Sequence, residues 1–150
     1  MAQRLRHDQR GAAALEFALV APVLLLLIYG AISFGIVLSV KHVMTEAAAE
    51  GARAAIGAQI IPGTDADQNA AYVRVAAARA GGSLGVYKTW AQTTPSVGAC
   101  PNAAPNQGST VCVTVTVTYP YSTHPIIPNA PGLGLIMPST LATSFSVEVQ

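Results

Sequence analysis

Charged residues are scarce in this chain. Aspartate, glutamate, lysine and arginine make up 10% of its 150 residues, and the formal net charge is +1. Nucleic-acid-binding domains carry a basic patch or stripe, so this composition gives no indication of a nucleic-acid partner. The basic residues that precede the first long apolar segment are Arg4, Arg6 and Arg10, which accompany a single acid, Asp8.

The sequence also lacks the motifs of enzyme active sites. It contains neither an HExxH motif nor a glycine-rich phosphate loop. Its histidines, His7, His42 and His124, are far apart, and none belongs to a recognisable catalytic triad or metal cluster. Ser33 has no adjacent base that would activate it as a nucleophile. We therefore expect no catalytic residue, no cofactor and no bound metal.

Cysteine is nearly absent, with only Cys100 and Cys112 in the whole chain. A structural zinc site needs four ligands, and two cysteines without nearby histidines make a poor one. The segment between the two cysteines is rich in turn-forming residues and leads into a predicted strand. If this half of the chain lies outside the cytoplasm, the two cysteines are expected to form a disulfide.

What the sequence does contain is one long apolar run near its N-terminus. Residues 17–40 carry no charge and, as a helix of about 24 residues, would reach about 36 Å. The hydrocarbon core of a bilayer is about 30 Å thick. Because the arginines precede the run and Glu46 and Glu50 follow it, the positive-inside rule places the N-terminus in the cytoplasm and the C-terminal part outside.

A cleaved secretory signal is an alternative interpretation of this segment, since small residues occur near positions 30–33. Secretory signals have apolar regions of about 7 to 15 residues, whereas the apolar run here continues to Val40. An uncleaved anchor fits the length better but gives no reason for Glu16, the acid that directly precedes the run. Glu16 either reaches the headgroup layer, is protonated, or has a partner.

The residues around Glu16 resemble the processing site of type IV pilin-like precursors. A basic leader ends at Gly11 and is followed by "AAALEF", which places Glu16 fifth and Phe17 sixth after the glycine. The resemblance implies that a prepilin peptidase cuts after Gly11 and leaves Ala12 as the new N-terminus. It also implies that Glu16 pairs with a free α-amino group as subunits pack, which is reasonable because such a group, with a pKa near 8, is largely cationic.

The segment from residue 10 to about 55 resembles the TadE-like family, pseudopilins of the tight-adherence (Tad or Flp) pilus. The resemblance is carried by "RGAAALEFALVAPVLLLL", with its early Pro22, and by "AAAEGARAA", which contains Gly51 and Arg53. It implies a single-pass protein of the bacterial inner membrane whose partners are other pilin or pseudopilin subunits and the pilus assembly machinery. The alternative is an unprocessed membrane-anchored exported module that binds something unrelated to pili.

Small residues recur at every fourth position of the apolar run, at Ala31, Gly35 and Ser39. Such a stripe lets another transmembrane helix approach closely, although small residues are common enough in these helices to recur by chance. The helix is expected to continue outward to Ile56 and to stop at Gly57.

The fold class predicted from these patterns is α+β: a long N-terminal transmembrane helix that extends outward, then an exported domain with one helix packed on a small antiparallel sheet. The predicted boundaries are residues 1–11 for a basic cytoplasmic leader, 12–57 for the transmembrane and extended helix, and 58–150 for the exported domain.

Within the exported domain, a helix is predicted from Thr64 or Asp65 to about Ala80, where two glycines follow. Alternation of apolar and polar residues predicts strands at 111–119 and 140–150, and a weaker pattern suggests a third at 86–93. The proline-rich segment between the two clear strands is expected to cover the sheet or to contact a partner.

Overall fold

The protein is described by a computed structural model that covers residues 4–58, 64–101, 110–127 and 138–149. These residues form helices and a three-stranded antiparallel sheet, which confirms the α+β fold class. The chain divides into two compact units, Met1–Val37 and Leu38–Gln150. The elements are α1 (Arg4–Ile56), α2 (Asp65–Ser83), a 3-10 helix (Gly85–Thr89), β1 (Gln92–Ala99), β2 (Val111–Tyr119) and β3 (Leu141–Val149).

In the first unit, α1 exposes apolar side chains along its length. Leu15, Phe17 and Leu27 are exposed to between 66% and 73%. The helix is long and apolar enough to cross a membrane. Pro22 lies inside it, which membrane helices tolerate because neighbouring groups satisfy the freed backbone carbonyl. From Leu15 to Ile28, where uncovered apolar residues occur on every side, the helix is suited to lipid rather than to water.

In the second unit, one face of α1 is buried. Its buried residues recur at intervals of three and four, the spacing of a single helical face: Val40, Met44, Ala47, Ala48, Gly51, Ala52 and Ala55. Most of them are small, so this face allows other elements to approach closely. The helix ends at Ile56, as Gly57 predicted.

The N-terminus of α2 is closed by a reciprocal capping box. The backbone N–H of Asp67 donates to the Thr64 hydroxyl at 3.4 Å, and the backbone N–H of Thr64 donates to the Asp67 carboxylate at 3.1 Å. The Thr64 hydroxyl also donates to that carboxylate at 2.7 Å. These hydrogen bonds favour the ionised form, so they hold the pKa of Asp67 below its ordinary value. The predicted start of α2 is therefore confirmed.

The predicted end of α2 at Ala80 is wrong, because the helix continues through both glycines to Ser83. The Ser83 hydroxyl contacts the carbonyl oxygen of Arg79 at 3.2 Å and the carboxylate of Glu50 at 2.8 Å. Leu84, directly after the helix, is 1% exposed. These tertiary contacts hold a last turn that helix propensity alone would not predict.

The strand predicted at 86–93 is also misplaced. Gly85 has a positive φ of 55° and begins the 3-10 helix, and β1 runs from Gln92 to Ala99. Because β1 contains Pro95 and Gly98, two residues depleted in strands, its sequence gives little sign of the strand. β1 forms a strand through its pairing with β2, in which Pro95 lies opposite Val115. β1 is an edge strand, where proline is accepted.

The sheet has the order β1-β2-β3, and its two faces differ in polarity. Val113, Val115 and Val117 are fully buried on one face. The other face carries hydroxyl side chains in cross-strand rows, including Thr114 and Ser146, whose oxygens lie 2.8 Å apart. The predicted strand at 111–119 is confirmed, and the last strand, predicted at 140–150, runs from Leu141 to Val149.

The predicted disulfide is present. Cys100 follows β1 directly and is bonded to Cys112 of β2, with 4.9 Å between their Cα atoms. It joins two strands that are already paired, since Cys112 lies opposite Gly98. Of the proline-rich segment predicted to cover the sheet, Tyr121 and Ile127 are buried, and residues 128–137 lie outside the described part of the chain.

Candidate processing and packing sites

The predicted processing residues lie on one exposed stretch of α1. Gly11, Ala12, Glu16 and Phe17 are all helical and all exposed. A Cβ atom added to Gly11 would meet nothing within 4 Å. The local structure therefore does not demand glycine at this position, either through its space or through its backbone conformation. A requirement for glycine here would come from recognition by another molecule.

Ala12 and Glu16 are four residues apart on α1 and so lie on the same helical face, about one turn from each other. Glu16 is the only acid between Asp8 and Glu46. While residue 11 is attached, the nitrogen of Ala12 is an uncharged amide. Cleavage after Gly11 would convert it into an amine and create a cation about 6 Å along the helix axis from the Glu16 residue.

The predicted packing stripe is also accessible. Ala31, Gly35 and Ser39 are exposed, and they share a face because residues four apart are neighbours on a helix. A Cβ atom added to Gly35 would meet nothing within 4 Å. The stripe therefore remains available for contact with a second helix.

Gly51 provides a helix-packing contact of a different kind, inside the second unit. A Cβ atom there would lie 2.8 Å from the Cβ of Ala80 and 2.9 Å from the carbonyl oxygen of Ala76. Both distances are too short for real side chains, so α1 and α2 touch through backbone at this crossing. Glycine is the residue that permits this approach.

Glu50, next to Gly51, links the same two helices by polar contacts. Its carboxylate lies 3.3 Å from Nε of Arg79 and accepts a hydrogen bond of 2.8 Å from Ser83. Glu50 and Arg53 are three residues apart, the spacing of helix neighbours, but Glu50 is half-buried and paired with α2 instead. Arg53 is exposed, and its guanidinium carbon lies 5.9 Å from the ring centroid of Phe145.

An aromatic cluster that the sequence did not reveal lies at one end of the sheet. Trp90 stacks on His124 with ring centroids 3.6 Å apart, and Tyr87 meets Tyr119 edge to face at 6.2 Å. The Tyr119 hydroxyl donates to the carbonyl oxygen of His124 at 3.0 Å. Burial, assisted by neighbouring tyrosines, raises the pKa of Tyr119 above its ordinary value. These contacts join residues distant in sequence, so no local pattern signalled them.

The part of the chain that the structure describes includes a cavity with an acidic residue in its wall. One cavity of about 340 Å³ lies beside the first turns of α2, lined by Asp65, Gln68, Asn69, Tyr72, Val111 and Val149. Among the described residues that line it, Asp65 carries the carboxylate and belongs to the helix start, where acids are favoured. Over the described residues, no three His, Cys, Asp or Glu side chains converge as a metal site would require.

Part of the chain is similar to a known protein family. Residues 11–53 match the family model described as TadE-like protein. The match begins at Gly11, includes Glu16, the apolar helix and Gly51, and ends before α2, so it confirms the resemblance for this segment. No curated protein and no solved structure matches the chain.

Proposed function

We propose that this chain, whose residues 11–53 are TadE-like, is a pseudopilin-like membrane subunit that serves the assembly of a bacterial tight-adherence (Flp-type) pilus. The observation that carries the proposal is that the family match begins at Gly11 and includes both Glu16 and the apolar helix. One short segment thus combines the features that processing, membrane insertion and helix packing require.

The proposed topology follows from charge and apolar length. α1 spans the inner membrane once, with residues 1–11 in the cytoplasm and the domain 58–150 on the opposite side. The Cys100–Cys112 bond supports this orientation, because structural disulfides persist in oxidising compartments. The exposed apolar side chains of the first unit supply the surface that contacts lipid.

The proposed role of Glu16 is electrostatic. An ionised carboxylate in a membrane helix is costly without a partner, by about 2.5 to 3.5 kcal/mol at the bilayer centre and less near its edge. Cleavage after Gly11 supplies an ammonium group on each subunit, about one helical turn from Glu16 along the axis. Glu16 of one subunit then pairs with the amine of a neighbouring subunit, while the stripe of Ala31, Gly35 and Ser39 lets the two helices approach.

The proposed processing is tested by expressing the full chain with and without a prepilin peptidase and measuring its intact mass. We expect the peptidase to remove residues 1–11, and Gly11→Val to abolish the loss. Gly30→Val is the matched control, since a Cβ at Gly30 also meets nothing within 4 Å. If the unaltered chain and the Gly30→Val control each keep the same mass with and without the peptidase, processing would be contradicted and the unprocessed binding module favoured.

The role of Glu16 is tested separately from cleavage. Glu16→Gln keeps the size and shape of the side chain but removes its charge, so we expect normal loss of the leader and defective association with other pilin-like subunits. Glu46→Gln removes an exposed carboxylate outside the apolar run and should leave both steps intact. Undiminished cross-linking to those subunits in the Glu16→Gln variant would refute the pairing.

A further inference from the structure

The cavity of about 340 Å³ lies between the beginning of α2 and one end of the sheet, entirely within the second unit. Its volume is in the range of small-molecule sites, about 300 to 1,000 Å³. On the sheet side, the wall consists of Val111 and Val149, which lie opposite each other where β2 pairs with β3. On the α2 side, the wall is polar and is formed by residues three or four apart, which share one face of the helix: Asp65, Gln68, Asn69 and Tyr72.

Tyr72 brings a polar group without a partner to this cavity. The residue is 4% exposed, and its hydroxyl makes no hydrogen bond with any of the described residues. Over that part of the chain, the one side-chain oxygen that is both fully enclosed and unpartnered is Oγ of Ser33. The Tyr72 hydroxyl therefore still reaches open space, and because Tyr72 lines the cavity, that hydroxyl is directed into it. Buried tyrosines usually have a hydrogen-bond partner, so this hydroxyl is available to a ligand.

The charge of the wall argues against several classes of ligand. Among the lining residues Asp65 is the charged one, and it has no ion-pair partner in the described part of the chain. An anionic ligand would meet a carboxylate and no cation. A calcium ion needs six to eight oxygen ligands, more than one carboxylate and two amides supply. A wholly apolar ligand would remove water from the polar groups of α2 and leave them unpaired, which is costly.

The wall suits a neutral ligand that carries several hydroxyl groups. A carboxylate accepts hydrogen bonds, whereas amide and phenol groups both donate and accept them. Neighbouring hydroxyls of one ligand can therefore bind Asp65, Asn69 and Tyr72 together. The two valines offer an apolar surface to C–H groups of the same molecule. A sugar ring combines these two properties at a size that fits the cavity.

We infer that this cavity binds a single neutral sugar unit. The polar face of α2 orients the sugar hydroxyls, the Tyr72 hydroxyl supplies a hydrogen bond from the floor of the cavity, and Val111 and Val149 contact the ring. Val111 is 40% exposed, so the ligand enters from this end of the sheet. The site lies in the second unit alone, and its binding activity is additional to the proposed role in pilus assembly.

The inference is tested with methyl glycosides of glucose, galactose, mannose and N-acetylglucosamine as probes. The full chain is kept in a zwitterionic detergent, because sugar-based detergents would compete for the site. Saturation-transfer difference NMR detects contact with each probe, and titration gives its Kd. We expect a signal from at least one of the four. Tyr72→Phe removes only the hydroxyl and should raise the Kd by about two- to tenfold, as expected for the loss of one neutral hydrogen bond. Val111→Trp places a larger side chain at the entrance and should abolish the signal.

Tyr121→Phe is the matched control, because Tyr121 is also 4% exposed but does not line the cavity; its Kd should equal that of the unaltered chain. Absence of a signal from all four probes, with a chain that unfolds cooperatively on heating, would overturn the inference. A signal that is unchanged in both Tyr72→Phe and Val111→Trp would place the sugar elsewhere and overturn it equally. Neither result bears on the loss of residues 1–11, so the proposed function stands or falls by its own experiment.

Discussion

Gly51 of α1 and Ala80 of α2 are in direct contact, close enough that a Cβ atom on Gly51 would lie 2.8 Å from that of Ala80. The carbonyl oxygen of Ala76 lies on the same side, at 2.9 Å. Neither neighbour is the end of a flexible side chain, so neither can turn away. This crossing packs α1 directly against α2 within the second unit.

Gly51→Ala is therefore expected to destabilise the second unit. Forcing a methyl group into packed surroundings costs about 1 to 3 kcal/mol, offset by about 1 kcal/mol from the better helix propensity of alanine. Thermal unfolding of the full chain in detergent should show a lower Tm. Gly82→Ala in α2 is the control, because its Cβ meets nothing within 4 Å; it should leave the Tm unchanged or raise it. Equal Tm shifts for the two variants would contradict the close crossing.

The ion pair between Glu50 and Arg79 is expected to add little stability. The two side chains are 37% and 65% exposed, and exposed pairs typically contribute less than about 1 kcal/mol. A double-mutant cycle of Glu50→Gln and Arg79→Ala, measured by denaturant unfolding, should give a coupling free energy below about 1 kcal/mol. A coupling several times larger would show that solvent is excluded from the pair.

Loss of the disulfide is expected to cost more than loss of this ion pair. Cys100 and Cys112 are 12 residues apart in sequence, and closing a loop of this size stabilises a protein by about 2 to 4 kcal/mol. The double variant Cys100→Ser/Cys112→Ser should unfold at a lower denaturant concentration than the oxidised chain. Non-reducing mass spectrometry of the native protein should show the cross-linked peptide, and free thiols there would count against export.

The capping box predicts a local dependence on pH. The pKa of Asp67 is lowered in the folded protein by its hydrogen bonds with Thr64. The contribution of ionised Asp67 to the stability of the folded protein is therefore complete above the unfolded-state pKa of about 3.9. This contribution is lost as the pH falls through the lower pKa that Asp67 has in the folded state. Amide exchange in the first turn of α2 should accelerate over that acidic range. Asp67→Asn should flatten this response, whereas Asp65→Asn, which alters the neighbouring acid outside the cap, should preserve it.

The elements that the sequence predicted well are those with an internal period. β2 alternates valine with threonine along its length, and the buried face of α1 repeats at helical spacing. In both cases the local sequence alone indicates the type of element and which of its faces is buried. β1 was misplaced because Pro95 and Gly98 hide the strand, which exists through pairing with β2. The end of α2 was missed because Ser83 and Leu84 are held by distant parts of the chain.

The residues of the candidate sites also fall into two groups, those that a local motif predicts and those that only the tertiary structure reveals. Gly11 and Glu16 were found because a short motif carries them, and their exposure in α1 shows no structural demand of the fold for either residue. The partnership of Glu50 with Arg79 and the stacking of Trp90 on His124 depend on how separate elements meet in space. No local composition encodes those contacts, so only the tertiary structure shows them.

Pro95 has a consequence for self-association. Open-ended growth by strand addition requires each subunit to offer two unpaired sheet borders. Proline has no backbone N–H, and its position midway along β1 leaves that border unable to continue a ladder of hydrogen bonds. β3, the other border of the described sheet, contains no proline. Strand addition at the β1 border is therefore disfavoured, so a sheet extended from copy to copy could not continue through that side.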